Sequence, residues 1–137
     1  KMADYYQMPM FVKVAVEDVD EAVRWYQDKL GFKKLYLFKD QAGLPVMAHI
    51  RRDRYQDLML IKQTSGSTGS GLIINLAVTD IFAVAAKLDK DAIVSPPTKK
   101  PWQAIEMTLE DKDKHQLTLT QPLQSHATFS EVMNQFK

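Results

Sequence analysis

At 137 residues and 15.7 kDa the chain has the length of one ordinary domain, with about 68% of its surface expected to be buried on folding, enough for a real core. Apolar residues at 45% and charged residues at 26% exclude a disordered or collagen-like chain, and a net charge of +1 gives no strong attraction to nucleic acid or anionic lipid. The lack of cysteine excludes disulfides, thiol nucleophiles and zinc–thiolate clusters and makes a cytoplasmic home the expectation; no window approaches the ~20 apolar residues of a membrane span, and residues 1–10 carry no leader-like pattern.

Pro9 to Val16 alternates, with Val12, Val14 and Val16 on one face and Phe11, Lys13 and Ala15 on the other, so a half-buried strand is expected. Asp18 or Asp20 caps a helix running to about Leu30, because Val19, Ala22, Val23, Tyr26 and Leu30 recur at helical spacing before Gly31. Three strands follow: Lys33 to Phe38, Leu44 to Arg51 and Asp57 to Lys62. Gln63 to Gly71 is rich in Gly, Ser and Thr and reads as a linker; it lacks the lysine spacing of a phosphate-binding loop. Val78-Thr79-Asp80-Ile81 then repeats Val16-Glu17-Asp18-Val19 at an offset of 62 residues, which points to a duplication.

The second half is expected to place a strand at Leu72 to Val78 and a helix from Asp80 to about Leu88. A strand from Ala92 to Ser95 should end at Pro96-Pro97, and a hairpin of Ala104 to Glu110 with His115 to Gln121 should close the half. Phe129, Val132, Met133 and Phe136 at helical spacing predict an appended helix over Thr128 to Phe136. The organisation is therefore a first βαβββ module over 9–62, a linker over 63–71, a second module over 72–121 and a tail over 122–137. Asp111-Lys112-Asp113-Lys114 reads as solvated surface.

The run Val16-Glu17-Asp18-Val19-Asp20-Glu21-Ala22-Val23-Arg24-Trp25-Tyr26-Gln27-Asp28-Lys29-Leu30-Gly31-Phe32 resembles a signature of the vicinal oxygen chelate superfamily, which holds glyoxalases, bleomycin-resistance proteins and dioxygenases. Pro101-Trp102-Gln103-Ala104-Ile105-Glu106 through His115 resembles the family's closing segment, with Gln103 in place of glycine, Ile105 in place of arginine, and Lys112 and Lys114 in place of proline and glycine. These departures make a hairpin of different shape an expectation. The resemblance covers about Met10 to Gln121 and implies an α+β fold. Its two modules form curled mixed sheets around a cavity, here with a short C-terminal helix, and the chain is expected to be a homodimer.

The resemblance maps the family's metal ligands onto Phe11, Met59, Ile73 and Thr118, a set with almost no donor capacity for a hard metal, so no metal and no other cofactor is expected. The histidines, His49, His115 and His126, are scattered and suit cavity walls or surface better than a metal centre. An inward set that includes Met47, His49, Met59, Asn75, Glu106 and Thr118 suits a small-molecule pocket, with Trp102 near its mouth and Phe38 available to stack on a planar group; ordinary core is the alternative for each. Glu106 needs a partner, for which Lys13, His49 and a cationic ligand are candidates, and it is a weak candidate general base. The expected function is metal-free binding and sequestration of a planar or cationic organic compound, as in the bleomycin-resistance branch. The alternative is a lyase, isomerase or dioxygenase using an unrecognised metal or Glu106 as base.

Overall fold

Strand β1 (Val12–Val16) buries Val14 and Val16, and Asp18 then turns the chain into helix α1 (Val19–Leu30) by accepting a hydrogen bond from the Glu21 N–H. The computed structural model describes residues 6, 8, 11–63 and 72–123; the linker residues 64–71, the expected C-terminal helix and His126 lie outside them. The five apolar positions of α1 all bury, and Gly31 ends the helix in the left-handed conformation at φ 75°, where a side chain would be strained. Tyr26, 1% exposed, sets its ring edge-on against Phe32 with centroids 5.3 Å apart, a pairing worth about 1 kcal/mol beyond the area it buries.

Strands β2 (Lys33–Lys39), β3 (Pro45–Arg51) and β4 (Asp57–Lys62) complete a four-stranded sheet in the order β1-β4-β3-β2, with β1 parallel to β4 and the other pairs antiparallel. Val14, Ala48, Ile50, Leu58 and Leu60 face α1 and form the core of this half.

The second half repeats the plan. Strand β5 (Ile73–Ala77), helix α2 (Ile81–Lys87), β6 (Ile93–Lys100), β7 (Ala104–Glu110) and β8 (Gln116–Pro122) form a sheet in the order β5-β8-β7-β6, again with its outer first strand parallel to the last. Asp80 caps α2 as Asp18 caps α1, accepting from the Ala83 N–H, so the repeat seen in the sequence is one of capping chemistry as well as residue type. Leu76, Met107, Leu109, Leu117 and Leu119 make its core.

The chain divides into two compact units, residues 1–70 with 112–114 and residues 71–111 with 115–137. Three expectations need correction. The strand expected to end at Ser95 runs through Pro96-Pro97 to Lys100, because β6 is an edge strand and its register shifts between Ser95 and Thr98, so the prolines need no ladder donor. The first strand starts at Val12, leaving Phe11 ahead of it and 40% exposed.

The Asp111–Lys114 run is more than solvated surface. Asp111 is 5% exposed and accepts from the His115 N–H, Lys112 ion-pairs with Glu21, and Asp113 accepts from the Glu17 N–H at 2.9 Å. Gln103 and Lys114 hold φ of 59° and 70°, the left-handed region that suits glycine, so the backbone turns there despite side chains that disfavour it.

Candidate functional site

Alternation on the first sheet sends the residues opposite α1 to a second face. Register aligns Tyr36, His49, Met59 and Lys13 in one row across the four strands and Phe38, Met47, Ile61 and Ala15 in the next. The candidates Phe38, Met47, His49 and Met59 thus share one face. Tyr36 and Phe38 are 56% and 50% exposed, so Phe38 is not core.

One row further, Arg51 pairs with Asp57, and here the structure assembles a cluster that the sequence reading missed. The Asp57 side chain, 5% exposed, takes three donors: Arg51 Nε at 2.8 Å and His49 Nε2 at 2.6 Å on Oδ2, and the Tyr6 hydroxyl on Oδ1. The Arg51 guanidinium also lies 4.1 Å from the Tyr6 ring centroid. Tyr55, left-handed at φ 69°, directs its N–H to the Tyr6 oxygen at 2.8 Å.

Burial pushes the Asp57 carboxyl up, but the hydrogen bonds from Tyr6, His49 and Arg51 and the charge of Arg51 outweigh it and hold Asp57 below its ordinary range. Burial, and then the bond to Asp57, raise the Tyr6 hydroxyl above its ordinary value. The signal available in the sequence was the alternation of His49, Arg51 and, across the strand pair, Asp57; the contribution of Tyr6 comes from 51 residues away and had none.

The second sheet also has a face opposite its helix. Thr98, Glu106, Thr120 and Ala77 form one row and Ser95, Thr108, Thr118 and Asn75 the next. Glu106 Oε2 accepts from the Trp102 indole N–H at 3.2 Å and the Thr120 hydroxyl at 2.9 Å. Asn75 Nδ2 donates to Thr120 at 3.1 Å, and Thr108 and Thr118 share a hydrogen bond of 3.1 Å. Asn75, Trp102, Glu106 and Thr118 therefore lie together on or beside this face. Glu106, for which the sequence offered Lys13 or His49, is satisfied by its neighbours Trp102 and Thr120, and His49 is taken by Asp57.

The residues at the mapped metal positions do not fit a hard cation. Phe11 and Ile73 have no donor atom, Met59 offers a thioether, and the Thr118 hydroxyl is engaged with Thr108. Among the described residues no three His, Asp or Glu side chains group as a metal site.

A cleft of about 390 Å³ is lined by Glu17, Asp18, Glu21, Ala22, Lys62, Lys112 and Asp113, none of them a candidate from the sequence. Its charges answer one another, with Lys62 Nζ also donating to the Glu17 carbonyl at 2.9 Å, so its chemistry is that of a tied turn rather than of an apolar pocket.

A sequence profile of the glyoxalase/bleomycin resistance protein/dioxygenase superfamily matches residues 8–119. No curated protein matches the chain in sequence. Among solved structures it is similar to TioX from Micromonospora sp. ML1, at 23% identity and TM-score 0.65, covering 81% of this chain and 96% of that one. It is also similar to TnmS3, an antibiotic binding protein from Streptomyces sp. CB03234, at 21% identity and TM-score 0.65, covering 89% and 99%. A glyoxylase/bleomycin resistance protein/dioxygenase domain from Frankia sp. EAN1pec matches at 20% identity and TM-score 0.69, covering 89% and 96%. At these identities the likeness shows the fold.

Proposed function

The chain belongs to the glyoxalase/bleomycin resistance protein/dioxygenase superfamily, and from that membership we propose that it binds and sequesters a planar or cationic organic compound without a metal or other cofactor. The observation that carries the reading is the half exposure of Tyr36 and Phe38 on a sheet face the core does not use, beside Met47 and Met59. Such a face offers aromatic and soft apolar surface to a flat molecule. The second sheet carries a carboxylate of its own suited to a cation, Glu106, its Oε2 fixed by Trp102 and Thr120. The antibiotic-binding description of TnmS3 agrees with this reading. A homodimer and a cytoplasmic home belong to the same proposal, the first supported by the exposure of Ile73 on the second sheet and the second by the cysteine-free composition.

Calorimetric titration with proflavine, a planar cation, and acridone, a planar neutral, tests it. Phe38→Ala is expected to weaken both by about tenfold, the loss of one aromatic contact. Absence of binding of either compound at millimolar concentration defeats the reading.

A further inference from the structure

We propose that His49, held by Asp57, is a general base on the face of the first sheet, able to take a proton from a planar enolisable compound lying against Tyr36 and Phe38. The argument starts at Asp57. An ionised carboxylate only accepts, so the 2.6 Å contact requires His49 Nε2 to carry the proton it donates, which leaves the lone pair of the neutral ring on Nδ1. Asp57 is kept ionised by its other donors, Arg51 Nε and the Tyr6 hydroxyl, and these also fix its position.

Among the described residues no hydrogen bond reaches His49 Nδ1, and none of their buried side-chain nitrogens or oxygens lacks a partner, so Nδ1 is not sealed in the core by them. The ring sits in the row Tyr36–His49–Met59–Lys13, which places the base beside exposed aromatic surface. A structural ion pair alone accounts for the Arg51–Asp57 contact. It does not call for an imidazole with one nitrogen tied and the other without a hydrogen bond among the described residues.

The step balances without a co-reactant. A C–H proton of the ligand passes to Nδ1, its electron pair stays in the ligand as an enolate, and the imidazolium charge is met by Asp57. Return of the proton to a different atom of the same ligand completes a tautomerisation. His49 would be the catalytic residue, and Asp57 a positioning residue. The charged and titratable groups around His49 are Arg51 on its own strand, Asp57 on β4, Lys13 on β1, Tyr36 on β2 and Tyr6.

The inference rests on the planar-ligand reading for its substrate class, whereas the state of the imidazole is independent of it. Two measurements on the full chain test it. Nitrogen-15 NMR of the histidine rings at neutral to mildly alkaline pH is expected to show His49 protonated at Nε2, with that preference lost in Asp57→Asn; a proton on Nδ1 overturns the proposal.

5-Nitrobenzisoxazole serves as a planar probe. Loss of its C3 proton to a base forms the nitrile and breaks the N–O bond, releasing a coloured phenolate. Turnover is expected to exceed that of free imidazole at equal concentration. It should fall about 100-fold in His49→Gln, the usual scale of a general base, and stay unchanged in His115→Gln. Asp57→Asn is expected to change the pH profile of kcat as well as its size. Turnover equal in the wild type and a folded His49→Gln variant overturns the proposal. Saturable binding of the probe without His49-dependent turnover also overturns it, while leaving the binding function intact.

Discussion

At Asp57 a carboxylate leaves water on a sheet face and is compensated by three donors, two from β3 and one from Tyr6 far back in the chain. Because its folded pKa lies below the ordinary 3.8, its stabilising contribution is fully present above the unfolded value and is lost as pH falls through the folded one. Asp57→Asn is therefore expected to cost on the order of 2 kcal/mol at pH 7, where the wild type keeps charged hydrogen bonds. The gap between variant and wild type should narrow once pH drops well below 4, and urea unfolding at both pH values checks it. Tyr6 has the opposite sign: its raised pKa means that its contribution is intact below 10.0 and lost as pH rises through the folded value. The candidates on the first face were legible one by one because alternation is a local property. Their partners were not, since neither spacing nor composition links Tyr6 to Asp57.

Among the elements, the two helices show how one signal acts in unequal surroundings. Asp18 and Asp80 make the same capping bond, to Glu21 and Ala83 respectively. Helix α1 is 12 residues long and buries five of them, whereas α2 has seven residues and buries only Ile81. The start of α2 has a second acceptor, Gln121 Oε1, which receives the Ile81 N–H at 2.8 Å. Asp18→Ala is expected to cost about 1 kcal/mol and Asp80→Ala measurably less, read as the difference in urea midpoints. Equal losses would show that Gln121 gives α2 no support. Strand β6 teaches the complementary lesson. Proline ends a strand that needs its N–H, and whether the N–H is needed depends on the strand's place in the sheet, which the sequence of the segment does not state.

For the whole molecule, the duplicated order of strands, each sheet with its first strand parallel to its last, explains why both halves have one face packed on a helix and one face left for other uses. Tyr36, Phe38 and Ile73 stand on those second faces at 50–58% exposure. Sedimentation at micromolar concentration is expected to give twice the 15.7 kDa chain mass, and Ile73→Asp to shift the protein toward the monomer. A monomeric wild type, or a dimer indifferent to that change, would remove the homodimer from the proposed function.

The sequence by itself determined the βαβββ repeat, the helices that follow Asp18 or Asp20 and Asp80, and which strand positions share a face. All of these follow from local periodicity, side-chain chemistry or motif. Only the tertiary structure decided that Asp57 holds His49, that Glu106 is satisfied by Trp102 and Thr120, and that β6 continues through two prolines. Partner choice and edge position depend on which strands lie side by side, and that is fixed by burial of the whole chain's apolar surface, not by any one segment.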